Sequence, residues 1–195
     1  MSVINFPSGA AYCPTTCSLA LRGNVRLARS EETGDVQTAE LPGARWLLSA
    51  SWPARYRSEM GTIESVFAQL NGRVNRIALW HFGRPEPAGM TGAVAVFNNE
   101  SQGDSQIIVT APLGGTFLPG EMIGVLGQLL MVTACTGSGN LVVDFEPRLR
   151  FDVPADTPVT YVRPTANFIL TSESQTLSYE PGFGSSFSAS FEEVF

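Results

Sequence analysis

The stretch ARWLLSASWP, residues 44–53, decides how this chain is read. Trp46, Leu48, Ala50 and Trp52 fall on one side of an extended backbone, and Arg45, Ser49 and Ser51 fall on the other. An apolar period of two marks a strand with one buried face. Upstream, SLALRGNVRLARSEETGDVQTAEL (18–41) reads as two or three short strands joined at Gly23-Asn24 and at Gly34-Asp35, because these pairs favour turns.

Downstream the period changes once. In SEMGTIESVFAQLNG (58–72), Ile63, Val66, Phe67 and Leu70 take the spacing of an amphipathic helix. Ser58 is the expected N-cap, Glu59 lies in the first turn, and Asn71-Gly72 is a C-terminal stop, which predicts a helix over about residues 58–71. A strand follows over residues 73–82. Its apolar residues (Val74, Ile77, Ala78, Leu79, Trp80, Phe82) occupy both faces, so a central or covered place is expected. After GRPEPAGMTG, two short strands are expected in AVAVFNNESQGDSQIIVTA. Four more, near 122–126, 129–135, 140–146 and 159–163, are separated by glycine or proline turns. Such tight spacing predicts a small curled sheet or barrel. The C-terminal stretch alternates again, with Phe183, Phe187, Phe191 and Val194 punctuating a serine-rich strand.

Composition agrees with a turn-rich β protein. Hydrophobic residues make up 44% of the 195, enough for a core without metal or disulfide, and 19 glycines and 13 prolines supply turns. Charged residues are scarce at 15%, which suits a surface covered by partners. Lysine is absent, so all 12 cations are arginines, the cation favoured at interfaces. A net charge of −6 without a basic run argues against nucleic acid as the main partner. No apolar run reaches 18 residues, so no transmembrane helix is expected, and the first residues lack the pattern of a signal peptide. The three cysteines are therefore expected as reduced thiols.

The candidate chemistry is thin. His81, the one histidine, sits in NGRVNRIALWHFGRPEPAGM (71–90) between Trp80 and Phe82. Neither a G-x-S-x-G elbow nor a cysteine motif accompanies it, so a packed strand-end histidine is expected. Cys13 and Cys17 lack the paired ligands that zinc requires. Glu31-Glu32 and Glu192-Glu193 are adjacent pairs, which on a strand point to opposite sides instead of converging on a substrate. The glycine-rich PLGG and TGSGN lack the strand–loop–helix context of a phosphate cradle. The expectation is no enzyme and no catalytic, cofactor or metal site.

Two stretches carry a resemblance. RWLLSASWPARYRSEMGTIESVFAQLNGRVNRIALWHFGRPEPAGMTG (45–92) resembles the N-terminal region of distal tail proteins, the tail-tip ring proteins of long-tailed phages. The shared order is a strand with tryptophans, a helix like IESVFAQLNGR, a strand like NRIALW and an Arg-Pro turn. LPGEMIGVLGQLLMVTACTGSGNLVVDFEPRLRFDVPADTPVTYVRPTANFIL is similar to a second segment of the same proteins; together they cover roughly residues 45–170. The resemblance implies a structural role. Family members form a ring, commonly a homohexamer, that joins the tail tube protein to baseplate hub or fibre proteins. DNA is passing cargo, and assembly takes place in the bacterial cytoplasm. It also implies a β-sandwich first domain, called the belt domain. The chain lacks room for the full C-terminal galectin-like domain of longer members.

The combined expectation is a mainly β fold. A belt-like β-sandwich with one α-helix is formed by residues 1–84 and 166–195, and a small barrel-like β insert by 85–165. A ring subunit needs two different complementary patches, and Arg55, Arg57, Arg84, Arg148 and Arg150 are the candidate interface residues. The acidic balance suits a lumen through which DNA slides. Two rival readings remain: a carbohydrate-binding module using Trp46, Trp52, Trp80 or Tyr161 as a stacking platform, and an all-β cell-wall hydrolase with converging carboxylates.

Overall fold

The computed structural model describes residues 2–54, 57–172, 178–180 and 184–195; of residues 57, 58, 178–180, 184 and 185 it describes the backbone alone. Arg55 and Phe183 lie outside the described residues, as do the side chains of Arg57 and Ser58. The fold is mainly β with one α-helix, and its strands form two sheets.

Seven strands form the larger sheet: β1 (Val3–Asn5), β2 (Thr16–Arg29), β3 (Val36–Trp52), β4 (Arg76–Leu79), β10 (Ala166–Leu170), β11 (Ser178–Glu180) and β12 (Gly184–Glu193). Their order is β1-β4-β10-β12-β3-β2, with β11 paired to β12. One face carries the apolar period read in residues 44–53. Trp46, Leu48, Ala50 and Trp52 are all buried, beside Phe187, Ala189 and Phe191 of β12 and Phe168 of β10. The helix α1 (Arg57–Leu70) covers this face with Met60, Ile63, Val66, Phe67 and Leu70. Trp52 stacks on Phe187 at 4.7 Å between ring centroids, and Phe67 meets Phe187 edge-on at 4.7 Å, an aromatic cluster that locks helix to sheet. The opposite face of the sheet is small and polar, with Ser49 and Ser190 hydroxyls 3.0 Å apart.

Several local expectations are corrected. Gly23-Asn24 is not a turn, because β2 runs straight through it. The register shifts there, and Pro42, Gly43 and Ala44 of β3 stand against Gly23. Asn24 donates its side-chain amide to the Pro42 carbonyl at 2.9 Å, which spends its turn-forming group across the strand pair. The helix starts at Arg57, so Ser58 lies within it and not at its cap. The strand expected over 73–82 is β4 alone. After the helix, Asn71 (φ 46°) and Gly72 (φ 66°) turn the chain, and the amides of Val74 and Asn75 are still bonded back to Asn71 and Leu70. Residues 159–163 do not form a strand either, but part of that segment has another use.

The smaller sheet holds β5 (Ala95–Val96), β6 (Gln106–Thr110), β7 (Met122–Val125), β8 (Gln128–Ser138) and β9 (Asn140–Glu146), in the order β5-β6-β9-β8-β7. It curls around its own core of Val96, Ile107, Val109, Val132, Val143 and Phe145. An extended segment stitches its two edges together. Asp156 and Val159 donate to Val96 and Val94, and Val96 donates back to Thr157. Thr160 then exchanges both backbone bonds with Gly124 of β7, at 2.9 and 2.6 Å. The curled sheet is thereby bridged from its β5 edge to its β7 edge. Gly124 permits this approach, since a Cβ there would stand 3.2 Å from Pro164. Leu129 and Met122 reach from this unit into the core of the larger sheet, so helix and barrel wall together form its second layer.

Candidate interaction surface

The hairpin β2–β3 is longer than the body it belongs to. The inward side of β2 reads Cys17, Leu19, Leu21, Gly23, Val25, Leu27, at a strict period of two. Cys17 and Leu19 pack against the core, but cover then runs out: Leu21 is 37% exposed, Val25 52% and Leu27 72%. Val36, two positions before Thr38, which pairs with Leu27, is 57% exposed on the same side. The six residue pairs from Asn24–Leu41 to Arg29–Val36 thus form a two-stranded arm whose inward side sets exposed Val25, Leu27 and Val36 opposite Glu40, Thr38 and Arg29. At ~3.3 Å per residue it extends about 20 Å. Its tip is closed by the turn at Gly34 (φ 73°), with the Ser30 amide donating to the Asp35 carbonyl at 2.9 Å.

A polar knot holds the base of the arm. Glu193 is fully buried and takes both terminal nitrogens of Arg150, at 2.9 and 2.6 Å. The same carboxylate accepts the Trp46 backbone N–H at 3.1 Å, and Arg150 also donates to the Ala44 carbonyl at 2.8 Å. Trp46 in turn donates its indole N–H to the Leu129 carbonyl at 2.8 Å. Barrel, arm base and C-terminal strand therefore meet at one ion pair. The Arg150 guanidinium lies 3.8 Å from the ring centre of Phe195, whose other cation neighbour is Arg45 at 5.1 Å. Arg148 reaches Glu40 at 3.3 Å and the Gly103 carbonyl at 3.1 Å. Between arm base and barrel lies a groove of about 760 Å³, lined by Leu41, Pro42, Arg148, Leu149, Phe151 and Phe195 among others.

Three of the five candidate arginines can be placed. Arg148 and Arg150 belong to this knot, and Arg84 donates to the Gly120 carbonyl where the chain enters the barrel. The barrel's entry and exit are further tied by the Ala88 amide to Glu121 at 2.7 Å and by Arg163 to the Ser8 carbonyl at 2.9 Å. Arg22, Arg26 and Arg29, on β2, were not singled out in the sequence, yet they are exposed and have no ion pair among the described residues. The knot had a detectable signal. Glu193 shares the inward period of Phe187, Ala189 and Phe191, and a carboxylate in such a row requires a buried cation.

The chemical candidates come apart. His81 accepts the Gly83 N–H on Nδ1 at 3.1 Å. Burial holds its imidazole below the ordinary value; the Arg84 charge acts in the same direction, while a bond with its own backbone opposes both. Burial pushes the Cys17 thiol up, against a bond from the Phe82 backbone. Glu192 and Glu193 do point to opposite faces, one to Arg45 and one to Arg150. Among the described residues no three His, Cys, Asp or Glu side chains gather as a metal site would require. Trp46, Trp52 and Trp80 are all buried, so they form no stacking platform for sugars, and Tyr161 packs edge-on against Phe117. No helix among the described residues is long and apolar enough to cross a membrane. No protein-family model matches the chain, and a search of curated proteins gives no match.

Proposed function

We propose that the chain is a structural subunit that assembles with copies of itself, and that the assembly is the tail-tip ring of a long-tailed phage. Such a ring would join the tail tube to hub or fibre proteins, with DNA passing through it. The single observation carrying the assembly part is the arm, whose exposed Val25, Leu27 and Val36 are covered by no other described part of the chain. Burying the exposed parts of Val25, Leu27 and Val36 against a neighbour would contribute about 3–5 kcal/mol per arm, taking 1.5–3 kcal/mol for a fully buried aliphatic side chain.

The charges on the arm favour a head-to-tail arrangement. Two β2 edges meeting about a twofold axis would bring Arg22 and Arg26 of both copies together on the outer face, and like charges across strands repel. Contact between unlike patches builds a ring when the rotation from copy to copy closes, and an open filament when it does not. The resemblance of residues 45–170 to distal tail proteins supplies the biological setting.

The test is mass in solution together with electron micrographs of the purified protein, wild type and Leu27→Asp/Val36→Asp. Closed rings that the double variant disperses, at unchanged circular dichroism, are the expected result. A wild-type monomer at high concentration that stays monomeric with tube or hub proteins added would overturn the reading.

A further inference from the structure

From the open edge of β2 we infer a strand-acceptor site for an acidic, extended segment of a different protein. The inference does not rest on the ring reading and holds for a monomer as well. Among the described residues no strand lies beyond β2, so half of the backbone N–H and C=O groups along Thr16–Arg29 face outward unpaired. Native edges this long are normally guarded by proline, by a bulge that turns them away or by charged side chains, and the charges on this one, Arg22, Arg26 and Arg29, all have one sign. This one contains no proline, and its irregularity at Gly23 is absorbed by the partner strand β3.

The charge pattern identifies the occupant. On the outer face, Arg22 stands directly opposite Arg45, an unfavourable pair unless each cation has an anion on its other side. Arg45 has one: Glu192 of β12, the next strand inward, at 3.1 Å. Arg22 has none among the described residues, and the vacant position is the strand that would lie beyond β2. An acid there completes the row acid–Arg22–Arg45–Glu192. Arg26 repeats the demand four residues on, on the same outer face. On the inward face, Leu21, Val25 and Leu27 ask the incoming strand for apolar residues. The segment that fits therefore alternates apolar inward residues with outward ones, and carries acids four apart among the latter.

The experiment uses the full chain and a blocked nine-residue peptide, Thr-Val-Glu-Val-Thr-Val-Glu-Val-Thr, labelled for fluorescence anisotropy. Two controls accompany it: the same peptide with lysine for glutamate, and one N-methylated at alternate residues to remove the ladder donors. The glutamate peptide is expected to bind about tenfold or more tightly than either control. Arg22→Glu/Arg26→Glu should reverse the preference toward the lysine peptide. The wild-type mass should be the same with and without peptide. No binding of the glutamate peptide, equal binding of all three, or an unchanged preference in the double variant overturns the inference. Dispersal of a wild-type oligomer by the glutamate peptide also overturns it, because the edge would then be occupied by a second copy.

Discussion

Replacing Arg150 by Met tests whether the knot at the arm's base is as dry as the structure makes it. The side chain of Glu193 has no solvent exposure and that of Arg150 has 11%, so the substitution leaves a carboxylate with no route to water. Among the described residues its one remaining partner is the Trp46 N–H at 3.1 Å. Breaking a buried pair from one side costs about 3–5 kcal/mol, a large part of a total stability of about 5–15 kcal/mol. With a urea m value of about 2 kcal/mol/M, the midpoint should fall by roughly 1.5–2.5 M. Glu193→Gln should cost less. It keeps an acceptor for Trp46, and the Arg150 cation it strands still has the Ala44 carbonyl, the face of Phe195 and a slightly open environment. Adding Glu193→Gln to Arg150→Met should then restore stability, because the stranded charge is gone. The four proteins form a double-mutant cycle read by urea denaturation. A loss below about 1 kcal/mol for Arg150→Met, or a double variant weaker than that single one, would falsify the claim that a desolvated pair joins barrel, arm and C-terminal strand.

Other outcomes can be checked alongside. Leu27→Asp should change thermal stability by less than about 0.5 kcal/mol in a monomer, since the side chain is 72% exposed; a larger loss would mean that the arm packs on its own body. Gly137→Ala should destabilise by about 1–3 kcal/mol, because φ is 104° and the new Cβ would stand 2.5 Å from the Asn140 carbonyl oxygen. Gly34→Ala (φ 73°, open surroundings) should cost less in the same melting experiment. His81 has a folded pKa below its ordinary 6.5, so the unfolded chain binds the proton more readily. Its contribution is intact above pH 6.5 and is lost as pH falls from there through the folded value. The urea midpoint of His81→Gln should accordingly decline less between pH 7 and 5 than that of wild type. Cys17, with its thiol pushed up by burial, should react with a thiol reagent at pH 7.5 more slowly in native than in urea-unfolded protein.

Periodicity made the body legible because buried faces impose it. Trp46, Leu48, Ala50 and Trp52 had to share a side, and so did Ile63, Val66, Phe67 and Leu70; all of them are buried. Caps and turns were legible where one residue does the local work, as at Asn71-Gly72. For the knot, Glu193 in an apolar row signals a buried cation but not which one, because Ala44, Arg150 and Glu193 come together only when barrel, β3 and β12 are in place.

The arm shows why the remainder escaped. A period of two reports which side chains share a face; it does not report whether anything lies against that face. Leu19 and Leu27 obey the same rule, yet one packs on the core and the other stands in water. Reading Gly23-Asn24 as a turn folded the arm back into the body and concealed the difference. Once β2 is continuous, its inward side outlasts the core by about 20 Å, and that excess is the observation behind the proposed assembly. Val25, Leu27 and Val36 stand exposed on one side of a ribbon, where solubility alone would favour polar residues. The functional inference therefore rests on the point where sequence pattern and burial part company.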